Sequence, residues 1–90
     1  MVDDTEKGIL IIAGINEALK YRKRYPRSSD ENIMKNLMDF LKDPKLKKHQ
    51  ILIITGVTQA LKILAEEPGI SDKKVMDKVM KEIPNIINKN

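Results

Sequence analysis

An all-α fold made of a duplicated helix–turn–helix hairpin is predicted by three features of this chain. The chain repeats itself: residues 9–41 align without gaps on residues 51–83, at an offset of 42. Within each copy the apolar residues recur at spacings of three and four, the period of a helix face. Each copy also carries a proline and then a serine between its two apolar stripes, which reads as one helix ending and the next being capped. The identities include Ile9, Leu10, Ile11 and Ile12 with Ile51, Leu52, Ile53 and Ile54. Gly14 matches Gly56, Ala18-Leu19-Lys20 matches Ala60-Leu61-Lys62, and Pro26 matches Pro68. Ser29, Asp30, Met34 and Met38 match Ser71, Asp72, Met76 and Met80.

The first helix is predicted from about Thr5 to Arg24. Ile11, Ile12, Ile15, Ala18 and Leu19 fall on one side. Leu10, Gly14 and Tyr21 widen that side to about half the circumference, enough to meet more than one neighbour. Asn16, Glu17, Lys20 and Lys23 lie opposite. Pro26 ends this helix. Ser28 or Ser29 caps the second helix, and Ser28 with Glu31 fits a capping box. That helix runs to about Leu41 with Ile33, Met34, Leu37, Met38, Phe40 and Leu41 as its apolar stripe. Asp43-Pro44 breaks it. The third helix, about Lys48 to Glu66, repeats the first. Pro68-Gly69 turns the chain, Ser71 caps, and Val75, Met76, Val79, Met80 and Ile83 form the last stripe. Pro84 marks the expected end of the fourth helix, with a tail over 86–90 that frays in part unless Ile86 and Ile87 pack down. The domain is therefore read as one unit, 1–90, with copies at about 5–43 and 47–85.

A rival local reading makes Ile9–Ala13 and Ile51–Thr55 buried strands. It requires an isolated two-stranded sheet, which is marginal in water. Gly56-Val57-Thr58 also lacks the glycine spacing of a phosphate-binding loop. For four helices, two arrangements are open: an antiparallel bundle, or two stacked αα-hairpins. Leu41-Lys42-Asp43-Pro44 resembles the inter-repeat turn of HEAT repeats over those residues, which implies the stacked arrangement. Two repeats are fewer than the three that solenoids usually need. Gly14 with Ala18, and Gly56 with Ala60, place small residues one turn apart. They predict either a close crossing of helices one and three about a pseudo-twofold axis, or room made for a large residue of the other hairpin.

Composition narrows the function classes. The chain has 90 residues, no Cys and one His, so thiolate chemistry and multi-histidine metal sites are excluded. No apolar run approaches the roughly 18 residues of a membrane-spanning helix. The N-terminal Asp3, Asp4 and Glu6 lack the basic-then-apolar order of a secretory signal. A cytoplasmic location is expected, with no membrane partner and no cofactor. The net charge of +4 says little about partners by itself.

The best candidate site comes from comparing the copies. Tyr21-Arg22-Lys23-Arg24-Tyr25-Pro26-Arg27 aligns with Ile63-Leu64-Ala65-Glu66-Glu67-Pro68-Gly69, so the scaffold is kept while the charge inverts. The first segment holds every arginine and both tyrosines of the chain. Arginine binds phosphate bidentately and tyrosine stacks on bases, so Tyr21, Arg22, Lys23, Arg24, Tyr25 and Arg27 suit a nucleic acid or an acidic protein surface. The plainer explanation is that cations favour a helix C-terminus. Glu66 and Glu67, at the matching helix end, could pair with the arginines within the chain or across a dimer. Lys42, Lys45, Lys47 and Lys48 form a secondary basic cluster, which also reads as a solvated loop. The methionine pairs read as core, or as a pliable binding surface. No nucleophile–base pair is indicated, because Ser28, Ser29 and Ser71 are explained as caps. The expected function is protein interaction or oligomerisation without catalysis, as a homodimer or with another protein. Nucleic-acid binding is the alternative, and a small enzyme the remaining one.

Overall fold

A computed structural model describes residues 4–89. It is all-helical, and no strand occurs among the described residues, so the strand reading of Ile9–Ala13 and Ile51–Thr55 is set aside. The helices are α1 (Asp4–Arg24), α2 (Asp30–Phe40), α3 (Pro44–Lys47), α4 (Gln50–Glu66) and α5 (Asp72–Lys89). The extra element beyond the four expected is α3, a single turn between the copies. The Asp43 carboxylate accepts the Lys45 N–H at 2.9 Å, and Pro44 opens the turn. Proline suits a first helical position because its missing N–H has no intrahelical partner there.

The caps follow from one choice between neighbouring serines. Ser29 has an extended backbone, and its hydroxyl accepts the Asn32 N–H at 3.1 Å. Ser71 repeats this on the Lys74 N–H at 3.3 Å. Ser28 is not the cap: its hydroxyl donates to the Tyr25 carbonyl at 2.7 Å, inside the turn that follows α1. The capping box of Ser28 with Glu31 therefore does not form.

The end of α5 departs most from expectation. The helix continues through Pro84 to Lys89. Proline removes one N–H, which leaves the Met80 carbonyl without its usual intrahelical donor, and both residues are exposed. Past the proline, Ile86 is buried and Ile87 packs on the core. Burying such side chains contributes about 1.5–3 kcal/mol each, comparable with the cost of about 3 kcal/mol for an interior proline. The segment expected to fray, 86–90, is thus helical as far as Lys89, and Asn90 lies outside the described residues.

The core is one cluster. Ile11, Ile15, Ala18 and Leu19 of α1 meet Ile33 and Leu37 of α2, Ile53, Val57, Ala60 and Leu64 of α4, and Val75, Val79 and Ile86 of α5. No polar or charged side chain is buried among the described residues. The helix α1 packs against α2, α4 and α5, and α4 packs against α1 and α5. Lys7 near the start of α1 lines one hollow with Gln50–Leu52 at the start of α4, so these two helices run in the same sense. They fit closely at the glycines. A Cβ on Gly14 would overlap Ile53 Cγ2, and one on Gly56 would overlap Ile11 Cγ2. Each glycine therefore receives an isoleucine from the other helix. Elsewhere Gly8 faces Ile83, whose Cγ2 is 3.6 Å from the position of a Cβ. The later half of α5 thereby lies along the start of α1.

The methionine pairs divide. Met34 and Met76 pack on the core, whereas Met38 and Met80 are exposed. Glu17, expected on the solvent face of α1, is half-buried and accepts the Asn36 amide at 3.4 Å.

Candidate functional site

The Tyr21–Arg27 segment forms the last turn of α1 and the loop to α2. Its geometry starts from the apolar stripe. Tyr21 occupies the position that Ile63 fills in α4, and both are half-buried against the core. The Tyr25 ring then lies 4.9 Å from the Tyr21 ring, centroid to centroid, tilted by 48°. This tilted arrangement is a favourable one for aromatic pairs. Tyr21, Arg24 and Tyr25 line two adjoining hollows. One is closed by Glu17, Lys20 and Asn36, the other by Pro26, Arg27, Ser28 and Asn32. The structure thus brings Tyr21, Arg24, Tyr25 and Arg27 together. Lys23 is exposed outside both hollows, and Arg22 is half-buried at the position where Leu64 enters the core.

Among the described residues, Arg22, Lys23, Arg24 and Arg27 make no ion pair. The pairing with Glu66 and Glu67 is not found within the chain. Glu67 instead accepts from Lys78 Nζ at 2.9 Å, on the helix that follows it. The basic segment keeps its charge, partly offset by Glu17 alone among its lining residues.

The secondary cluster is dispersed. Lys42 pairs with Asp39 at 3.1 Å, both highly exposed, and Lys45 does not line the hollow that Lys47 and Lys48 share. Lys47 and Lys48 line a hollow with Lys7, His49 and Ile51. That hollow lies at the start of α1, and the arginines lie at its end, about 25 Å away at 1.5 Å per helical residue. The two basic clusters do not form one face.

Two surface features escaped the sequence reading. The large exposed apolar side chains include Ile9 at 60%, Ile51 at 68%, Met38 at 42% and Met80 at 47% exposure. These four are two pairs at the same offset of 42. The second feature is a charge reversal on the outer faces of α2 and α5. Glu31, Lys35 and Asp39 stand where Lys73, Asp77 and Lys81 stand in the other copy. All six are exposed, and among the described residues only Asp39 has an ion pair, with Lys42. The signal was present in the repeat itself, in the positions between the apolar stripes.

Fold and surface define a small all-helical domain with no buried charged side chain among its described residues. Compared with protein-family models, curated proteins and solved structures, the chain matches none of them.

Proposed function

We propose that this protein is a non-catalytic interaction module that associates with itself, and that it is built from two copies of one helical hairpin related by a pseudo-twofold axis between α1 and α4. The reciprocal seating of Ile53 on Gly14 and Ile11 on Gly56 supports the duplicated arrangement. The observation that carries the self-association is the repeated exposure of Ile9 with Ile51 and of Met38 with Met80. Most other exposed positions on these helices change between copies: Asn16 against Thr58, Lys23 against Ala65, Arg24 against Glu66. Solvent-exposed sites under no demand would not hold large apolar side chains at matching positions while their neighbours change sign. Covering them gains about 25 cal/mol for each Å² removed from water. Met is also suited to a contact that must adapt. Sedimentation equilibrium from micromolar to millimolar protein tests this. The expected result is a mean mass rising above the 10.3 kDa monomer with concentration. Replacing both Met38 and Met80 by Lys should return it to the monomer mass. A single 10.3 kDa species throughout would contradict the reading.

A second reading, single-stranded nucleic acid on Tyr21–Arg27, is favoured by one observation: the tilted tyrosine pair borders the same hollow as two arginines that make no ion pair among the described residues. Contacts to three or four phosphates would give a slope of log affinity on log salt of about −2 to −3, at −0.7 per phosphate. Arg24→Glu with Arg27→Gly, which copies residues 66 and 69, should abolish binding of a fluorescent oligouridine in anisotropy titrations. No binding by the unmodified protein at low salt would remove this reading.

A further inference from the structure

We propose that the outer face of α2 docks on the outer face of α5 of a second copy of the chain, with the two helices side by side and running in the same direction. This rests on the self-association reading and names the surfaces that meet. Along α2, Glu31, Lys35 and Asp39 follow one another at one-turn spacing, giving the order minus, plus, minus. Along α5, Lys73, Asp77 and Lys81 give plus, minus, plus at the same spacing. Placed in register, Glu31 faces Lys73, Lys35 faces Asp77, and Asp39 faces Lys81. Every charge then meets its opposite. Two α2 faces brought together in the same register would set like against like at all three levels, as would two α5 faces.

The charges alone would also match with the helices antiparallel, because each order reads the same from either end. The methionines decide the direction. In the parallel register Met38 lies opposite Met80, and both are exposed in the single chain. Reversing one helix moves Met38 to the level of Lys74 and Met80 to the level of Asn32. The parallel contact therefore covers two exposed apolar side chains with each other and surrounds them with three ion pairs.

Each face has the supply of groups this requires. Ile33 and Leu37 hold the inner side of α2 in the core, and Val75 and Val79 do so for α5, which turns the charged rows outward. Among the described residues, Glu31, Lys35, Lys73, Asp77 and Lys81 make no ion pair within the chain, and Asp39 holds only its exposed neighbour Lys42. Opposite charges one turn apart also steady their own helix, but that effect needs no reversal between copies. A contact between two different surfaces is heterologous: each added copy leaves one α2 face and one α5 face free, so association proceeds beyond a dimer or closes as a ring. Its strength falls as salt screens the exposed pairs.

A charge exchange tests the docking. One variant carries Glu31→Lys, Lys35→Glu and Asp39→Lys; the other carries Lys73→Glu, Asp77→Lys and Lys81→Glu. In the first both outer faces read plus, minus, plus, and in the second both read minus, plus, minus. Sedimentation equilibrium should show each variant alone associating at least tenfold more weakly than the unmodified chain. An equimolar mixture of the two should recover the association, and so should the chain carrying all six changes. Circular dichroism checks that each variant is folded. The Lys73→Glu variant places a negative charge near the start of α5, where a helix favours it, so it remains informative if the other is destabilised. If the unmodified chain associates and both variants do so equally well, the docking is overturned while self-association stands. If the unmodified chain stays monomeric at every concentration, both are overturned.

Discussion

Gly8→Ala and Gly14→Ala, two identical changes within α1, are expected to move stability in opposite directions. In a helix interior alanine is favoured over glycine by about 1 kcal/mol. At Gly8 the new methyl would lie 3.6 Å from Ile83 Cγ2, an ordinary contact, so that gain should be realised. At Gly14 the methyl overlaps Ile53 Cγ2, and at Gly56 it overlaps Ile11 Cγ2. Neither isoleucine has room to retreat, because both are fully buried at 0% exposure. Overpacking of this kind costs about 1–3 kcal/mol, more than the helical gain offsets. Gly14→Leu and Gly56→Leu push α1 and α4 apart and should each cost more than about 3 kcal/mol. At about 4–8 °C per kcal/mol for a domain of this length, the Leu variants should melt at least about 12 °C below the unmodified chain. Thermal melts of the five proteins decide it. Leu variants that melt with the unmodified chain would show that α1 and α4 do not meet at these glycines.

Ile86→Ala should lower the melting temperature by about 8–16 °C. The side chain is buried in the common core although it follows a proline. Truncating a buried isoleucine costs about 2 kcal/mol or more, and each kcal/mol shifts the melt of a domain this size by about 4–8 °C. Asn88→Ala, on the exposed side of the same turn, should change stability by less than about 0.5 kcal/mol, a melting shift below about 4 °C. Equal melts for the two variants would mean that the end of α5 does not support the fold.

These cases show where the sequence was readable. Apolar spacing placed Ile11, Ile15, Ile33, Leu37 and their partners in the core because a helix stripe has a fixed period. Ser29 and Ser71 were readable as caps because a short polar side chain before an apolar stripe has few other roles. Pro84 was misread because a local rule for proline ignores what lies beyond it. Ile83, Ile86 and Ile87 hold α5 against its neighbours, and the tertiary contact outweighs one lost backbone bond. The choice of Ser29 over Ser28 turned on which residue took an extended backbone, which the spacing to Glu31 alone did not reveal. In the candidate site, the division of roles was hidden. Tyr21 both packs against the core and forms half of a tilted aromatic pair, and Arg22 stands where Leu64 fills the core in the other copy. The reversal from Glu31, Lys35 and Asp39 to Lys73, Asp77 and Lys81 was legible in the letters. Its meaning depended on knowing that all six side chains are exposed.

The most direct test of self-association through these helices is a dilution series followed by amide chemical shifts in nuclear magnetic resonance. It reports for each residue whether its surroundings change as neighbouring copies separate. On dilution, amides of 31–39 in α2 and 73–81 in α5 should shift together, with one apparent dissociation constant. Shifts independent of concentration, or confined to Tyr21–Arg27, would contradict the assignment of α2 and α5 as the surfaces through which the protein associates.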